Sequence, residues 1–159
     1  MPVSTPPFYR TALPEDVPAC IRLRGLTREN AVSEQRLAEL GITAESWSQQ
    51  VREGRLPGVV AQVGGEVVGY CFGDTGSGEV VVLALLPDFE GRGIGRDLLA
   101  QVVAMLRAHG HRRLFLGCSD NPGSRSWGFY RHLGWHPTGR RDSHGDEELE
   151  YLCGVTGRG

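Results

Sequence analysis

The spacing of hydrophobic residues along the chain alternates between a strand pattern and a helix pattern. Short apolar or alternating runs typical of β-strands recur seven times. These predicted strands are Phe8–Ala12, Val59–Val63, Val67–Phe72, Glu79–Leu86, Leu114–Cys118, Trp135–Arg140 and Glu147–Leu152. Gly64 and Gly65, between the second and third runs, predict a tight hairpin turn, because glycine adopts positive φ angles without strain. The nearly continuous apolar run Glu79–Leu86 predicts a central strand that is buried on both faces.

Between these predicted strands, hydrophobic residues recur at helical spacing. The predicted helices are Pro14–Thr27, Ser33–Leu40, Thr43 to about Glu53, about Arg92 to Ala108, and a last one that ends at Gly134. Asn121 is expected to cap the last helix, with Pro122 at its first position. With the two short segments between residues 33 and 53 counted as one helical region, the order is β-α-α-β-β-β-α-β-α-β-β. This order predicts an α/β (mixed α+β) fold in which a central mixed, mostly antiparallel sheet of about seven strands is flanked by about four helices.

Length and composition restrict the class of protein. A chain of 159 residues fits one domain over residues 1–159, and we expect short flexible ends at residues 1–7 and 154–159. No apolar run approaches the roughly 20 residues of a membrane span, and no signal peptide is evident, so we expect a cytoplasmic protein without a membrane partner. The 17 basic residues are outnumbered by 19 acidic ones, which argues against a nucleic-acid partner.

Cysteine and histidine positions give no sign of a metal or redox site. The four cysteines are scattered and form neither a C-x-x-C pair nor a zinc-binding spacing, so we expect separate buried thiols. Asp142, His144 and Asp146 have side chains that bind metals, but a short polar turn between two strands accounts for them better. The sequence therefore predicts no metal.

The most informative segment lies between the predicted central strand and the long helix. It consists of Gly91, Arg92, Gly93, Ile94, Gly95 and Arg96. Closely spaced glycines let backbone N–H groups surround an anion, and the helix start adds unpaired N–H groups and a positive dipole. We therefore predict a phosphate or pyrophosphate site here, to which Arg92 and Arg96 either add charge or contribute only surface cover.

Two common nucleotide motifs do not fit this segment. A dinucleotide fingerprint would require a glycine where Arg96 stands, and the following strand offers no acidic residue for a ribose. A Walker motif requires a lysine, and the chain contains none.

Two stretches of sequence resemble the GNAT N-acetyltransferase superfamily. The stretch LALLPDFEGRGIGRDLL is similar to the family's acyl-CoA motif [QR]-x-x-G-x-[GA], with Gly93 and Gly95 in place and Glu90 where the family has Gln or Arg. The stretch NPGSRSWGFYRHLGW is similar to a later family segment, with Tyr130, Gly134 and Trp135 in place. The resemblance covers roughly Phe8 to Leu152.

The resemblance implies acetyl-CoA as co-substrate and assigns roles to several residues. The family's central strand splays from its neighbour, which implies that the main chains of Leu83 and Leu85 bind the pantetheine arm and that the Leu85 N–H holds the thioester oxygen. Asn121 is either a further cofactor ligand or only the helix cap described above. The segment between the first two helices implies acceptor contacts by Arg28, Glu29 and Asn30.

Proton transfer requires a base and an acid. The attacking amine has a pKa near 10.4 and must lose a proton, and Glu79, at the start of the central strand, matches the family's catalytic glutamate by its distance from Gly93. The alternative for Glu79 is an ordinary solvated residue at a strand edge. Tyr130 resembles the family's general acid, because a phenol is protonated at neutral pH and can donate to the leaving thiolate.

These observations predict an enzyme that transfers an acetyl group from acetyl-CoA to a primary amine of a small molecule or peptide by direct attack. The alternative is a non-catalytic acyl-CoA-binding sensor of the same fold, and a nucleotide-dependent enzyme of another fold comes third. A homodimer is an expectation by analogy only.

Overall fold

The computed structural model describes residues 5–29 and 31–153. The predicted flexible ends lie partly outside this range, at residues 1–4 and 154–159. The described residues form seven strands and five α-helices. The strands are β1 (Phe8–Thr11), β2 (Gly58–Val63), β3 (Glu66–Gly73), β4 (Val80–Leu85), β5 (Arg113–Cys118), β6 (His136–Arg141) and β7 (Glu147–Leu152). The helices are α1 (Val17–Arg24), α2 (Glu34–Glu39), α3 (Ala44–Arg52), α4 (Ile94–Ala108) and α5 (Arg125–His132).

The mixed α+β fold and the seven strands confirm the prediction. The strands form two antiparallel sheets, one in the order β1-β2-β3-β4 and the other in the order β5-β7-β6. Within the described residues a single parallel bridge, between Glu79 and Phe115, links the two sheets. β4 and β5 are thus neighbours only where they begin.

Two glycines in the β2–β3 turn explain why this hairpin is the clearest sequence signal. Gly64 and Gly65 have φ angles of 61° and 85°, in the left-handed region that costs other residues energy.

The register of β3 against β4 shifts near the start of β4, where Phe72 pairs with Val82 and Gly73 with Val80. Val81 is the extra residue of this bulge, and bulges bend the strand that carries them.

Helix α4 packs on one face of the first sheet. Its apolar positions Ile94, Leu98 and Val102 are 0–1% exposed and belong to a core that also contains Tyr130 and Trp135. We call this cluster the α4-side core. Each fully buried leucine or isoleucine contributes roughly 1.5–3 kcal/mol, so this helix and α5 are held to the sheets mainly by apolar burial.

Helices α1, α2 and α3 cover the opposite face. The buried residues there include Leu23, Leu37, Trp47 and Tyr70, together with Ala84 of β4. We call this cluster the α1-side core. Because Leu83 and Leu85 pack against the α4-side core and Ala84 belongs to the other, β4 contributes to both cores. It is the last strand of its sheet instead of the predicted central one, and Val81 at the bulge is 43% exposed.

Helix boundaries differ from the prediction in two places. A 3₁₀ turn over Pro14–Asp16 precedes α1, which ends at Arg24 instead of Thr27. The cap of α5 is Ser124, whose hydroxyl accepts a hydrogen bond from the Trp127 N–H (3.3 Å), so the predicted cap role of Asn121 is wrong. In residues 5–29 and 31–153 no helix is long and apolar enough to cross a membrane.

Candidate active site

A gap opens between β4 and β5 immediately after the bridge at Glu79. Parallel strands place their carboxyl ends at the same edge of a sheet, so the segments that follow β4 and β5 lie on either side of the mouth of this gap. The gap is therefore bordered by β4, by the turn that leads into α4, by β5 and by the start of α5.

The main chain of β4 presents free polar groups to the gap. The N–H of Leu86 donates to the C=O of Val68 on β3 (2.9 Å). Alternate residues of an antiparallel strand direct their polar groups to the same side, so Leu83 and Leu85 direct theirs away from β3. These two predicted cofactor-binding residues therefore have main-chain groups available to a ligand, while their side chains pack against the α4-side core.

The turn before α4 has the conformation that its glycines suggest. Gly91 and Gly93 have φ angles of 79° and 83°, and Gly93 is the N-cap of α4 without any side-chain cap. The first N–H groups of the 15-residue helix are thus left for an anion. An added Cβ on Gly91 would meet nothing within 4 Å, so the turn has room beside it.

The two arginines of the turn are engaged with neighbours. The Arg92 guanidinium donates to the Asp88 carbonyl (3.1 Å) and lies 5.0 Å from the centre of the Phe89 ring. Arg96 Nε lies 3.6 Å from a carboxylate oxygen of Asp97. Both side chains are exposed and at the turn, so contact with a phosphate would require them to move from these partners.

Tyr130 lies on α5 inside the α4-side core. Burial raises the pKa of its phenol well above the usual value, with smaller contributions from the neighbouring Cys71 and Cys118 thiols. Cys71 pairs with Leu83 across β3 and β4, and Cys118 ends β5. Tyr130 is therefore near both strands that border the gap.

Glu79 lies at the closed end of the gap and is half-buried. Burial raises the pKa of its carboxyl group, the nearby Asp74 and Asp142 carboxylates raise it further, and His144 opposes them. Leu83 lies four residues further along the strand, roughly 13 Å for an extended chain and less across the bulge. Glu79 and Tyr130 therefore occupy different parts of the gap.

The predicted acceptor residues make unexpected contacts. Arg28 Nε donates to Glu90 Oε1 (2.8 Å), and Glu29 Oε1 accepts from the main-chain N–H of Arg125 (3.0 Å). Arg125 Nε in turn lies 3.7 Å from Glu90 Oε1. Glu90 and Arg125 were not among the predicted site residues, although Glu90 stands where the family motif has Gln or Arg. Asn30 lies outside the described residues.

Asn121 stabilises the turn that leads into α5. Its Oδ1 accepts from the Gly123 N–H (2.9 Å), and its carbonyl accepts from the N–H (3.0 Å) and the hydroxyl (2.8 Å) of Ser124. The residue is exposed and follows β5, on the same side of the gap as α5.

The polar turn between β6 and β7 is closed by its own hydrogen bonds. Asp142 Oδ1 accepts from the N–H groups of His144 and Asp146, both at 2.9 Å. Across residues 5–29 and 31–153, no group of three or more His, Cys, Asp or Glu side chains has a metal-binding arrangement. A cavity of about 380 Å³ lies beside Gly110 and Cys153, at the end of α4 opposite the glycine turn.

Comparisons with solved structures give the same architecture. An N-acetyltransferase, PaiA, from Thermoplasma acidophilum in complex with coenzyme A has a TM-score of 0.75 and 16% identity, over 92% of this chain and 99% of that one. An N-acetyltransferase from Staphylococcus aureus has a TM-score of 0.74 and 18% identity, over 93% and 99%. A putative acetyltransferase from Salmonella typhimurium with its cofactor acetyl-CoA has a TM-score of 0.66 and 18% identity, over 98% of both chains. At these identities the likeness is one of fold.

A family model supplies the relationship that structural likeness alone does not. No curated protein matched the chain. Residues 22–135, however, match the model of the acetyltransferase (GNAT) family. This range is most of the chain, and it contains β4, the glycine turn, α4, β5 and α5. The chain belongs to the GNAT acetyltransferase family.

Proposed function

We propose that this protein transfers an acetyl group from acetyl-CoA to a primary amine of a small molecule or peptide by direct attack on the thioester. The observation that carries the proposal is the gap between β4 and β5, which is bordered by free main-chain groups, by an anion-binding turn and by a protonated phenol. Acetyl-CoA supplies the activated acetyl group.

The residues around the gap fit such a co-substrate. The free main-chain groups of Leu83 and Leu85 would pair with the amides of the pantetheine arm, and the turn over residues 91–96 would hold the pyrophosphate. Leu85 is our candidate to donate its N–H to the thioester oxygen as negative charge develops there. Asn121 would contribute from the β5 side.

In this proposal Glu79 takes up the proton that the amine must lose. Its raised pKa makes it a stronger base than an ordinary glutamate once it is ionised. Because Glu79 is at the closed end of the gap, the proton would reach it through a water molecule rather than by direct contact with an amine beside Leu83.

Tyr130 is proposed as the acid that protonates the departing thiolate. The phenol is protonated across the whole physiological range, as an acid must be before the thiolate leaves, and burial raises its pKa further, which makes it a weaker donor than an exposed tyrosine.

A screen of amines tests the proposal. The protein is incubated with acetyl-CoA and a panel of amino acids, polyamines and peptides, and both thiol release and the acetylated amine are measured. We expect the two products in equal amounts for at least one acceptor class. Binding of coenzyme A without acetylation of any amine would favour the non-catalytic sensor, and no binding would contradict the proposed site.

A further inference from the structure

Four charged residues form an ion bridge at the mouth of the gap. Glu90 Oε1 lies 2.8 Å from Arg28 Nε and 3.7 Å from Arg125 Nε, and Glu29 Oε1 accepts from the Arg125 N–H (3.0 Å). We call Arg28, Glu29, Glu90 and Arg125 the mouth bridge. The Glu90 side chain is only 16% exposed, whereas the Arg28 and Arg125 side chains are 56% and 58% exposed.

The mouth bridge connects three separate segments. Glu90 follows β4 and immediately precedes the glycine turn, Arg125 is the first residue of α5 after β5, and Arg28 and Glu29 follow α1. Since β4 and β5 are parallel, the first two segments lie on opposite sides of the gap where it opens. The bridge therefore spans the opening, and it does so from the α1 side, because Arg28 and Glu29 continue from the helix on that face.

The geometry points to a positioning role for the mouth bridge, and this inference rests on the proposed function. An arm that reaches from the glycine turn into the gap must pass through the opening that the bridge spans. We propose that Glu90 positions Arg28 and Arg125 to hold the two sides of the opening together and so retains bound acyl-CoA. Arg28 and Glu29 are then positioning residues, not acceptor ligands.

Replacing Glu90 by glutamine distinguishes this role from simple charge effects. Glu90 puts a negative charge next to the turn proposed to bind the pyrophosphate, so electrostatics alone predicts that Glu90→Gln releases coenzyme A more slowly. If the mouth bridge retains coenzyme A, Glu90→Gln should instead release it faster, because glutamine keeps the shape of glutamate but loses the two ion pairs. We expect dissociation of coenzyme A to become about fivefold faster, as measured by stopped-flow displacement.

A charge swap provides the second arm of the experiment. Arg28→Glu alone should accelerate coenzyme A release, whereas Arg28→Glu with Glu90→Arg keeps the net charge, restores an opposite-charge pair and should return the rate to within about twofold of the parent. Arg36→Glu is the matched control, because it breaks the exposed Arg36–Glu39 pair on α2, away from the gap, and should leave the rate unchanged. Thermal unfolding of each variant confirms that it is folded.

Several results would overturn the inference. Slower release of coenzyme A from Glu90→Gln would show that the residues do not act as a bridge. The same conclusion would follow if the double variant released coenzyme A as fast as Arg28→Glu alone. An Arg28→Glu variant that releases coenzyme A at the normal rate but has a raised KM for the amine would make Arg28 an acceptor ligand. If the parent protein binds no coenzyme A, the proposed function fails first and the bridge with it.

Discussion

Tyr130 and Glu79 border the same gap but sit in contrasting surroundings. Tyr130 lies among apolar side chains in the last turn of α5. Glu79 is half-buried at the start of β4, with the carboxylates of Asp74 and Asp142 and the imidazole of His144 nearby. The surroundings of Tyr130 are apolar, whereas those of Glu79 are polar.

The same physical cause has opposite consequences in these two regions. Burial raises both pKa values, because it disfavours whichever form is charged. For the phenol, a raised pKa preserves the neutral proton donor. For the carboxyl group, it strengthens the base but delays its ionisation to higher pH, whereas for the phenol it keeps the proton in place but weakens the acid.

The largest effect is expected from Tyr130→Phe. The ring that packs the core is kept, so the affinity for acetyl-CoA and the stability should change little, while kcat should fall about 10²-fold or more if protonation of the thiolate limits turnover. Tyr70→Phe is the matched control, because Tyr70 is a buried tyrosine on the opposite face of the sheet, and its hydroxyl has no hydrogen-bond partner among the described residues. Equal rates for parent and Tyr130→Phe would remove the acid role.

A comparable loss, on the order of 10²-fold near neutral pH, is expected from Glu79→Gln. The parent's rate should fall as the pH decreases through the raised pKa of Glu79, because the protonated carboxyl group cannot accept a proton. The variant should lack this decline and recover partly at high pH, where more amine is already neutral. A pH–rate profile that matches the parent's would transfer the role to water or another residue.

A smaller effect that concerns binding alone is expected from Gly93→Val. A β-branched residue at a φ of 83° is strained, and its Cβ would lie 2.8 Å from Arg96 Nη2 in the turn proposed to bind the anion, so the affinity for coenzyme A should fall at least tenfold by calorimetry. Gly110→Val is the control at the other end of α4, with a φ of 95° and no atom near the added Cβ. It carries similar strain and should bind coenzyme A normally. An unchanged affinity in folded Gly93→Val would contradict the assignment of the turn.

The smallest effect is expected from Asp16→Asn, and it concerns stability alone. Asp16 accepts from both nitrogens of Arg10 (2.7 and 2.8 Å) and from the Leu13 N–H (2.7 Å), and the Arg10 interaction lowers its pKa. Asp16→Asn should cost about 1–2 kcal/mol near neutral pH, since Arg10 is partly exposed. Because the pKa of Asp16 is lower in the folded protein than its unfolded value near 4, ionised Asp16 stabilises the fold above about pH 4. The stability difference between the parent and Asp16→Asn should therefore shrink below about pH 4, as measured by denaturant titrations.

The local features of the fold could be predicted from sequence. The β2–β3 hairpin, helix α4 and the turn at Gly91 to Gly93 depend on residues close together in the chain, and their glycines and apolar spacing are direct signals. The start of α5 was predicted wrongly, because the side chain of Asn121 suits a helix cap and a turn equally well. Ser124 caps the helix, while Asn121 closes the preceding turn.

Features that depend on distant residues could not be predicted in this way. The separation of the sheets after Glu79 was implied by the family resemblance and not by any local signal, because it depends on which strands pair in space. The pair of Arg28 and Glu90 joins residues 62 positions apart, and nothing in either local sequence specifies it. The mismatch of Glu90 with the family motif marked the position but did not identify its partner.

Acyl donors of different thiol acidity test directly whether Tyr130 protonates the leaving thiolate. A more acidic thiol leaves as a thiolate with less help, so the deficit of Tyr130→Phe relative to the parent should shrink steadily as the donor's thiol pKa falls. Single-turnover rates with acetyl-CoA and with more acidic acetyl thioesters would show this trend. A deficit that stays the same for every donor would mean that Tyr130 only places the substrate, and the account of a buried acid would be wrong.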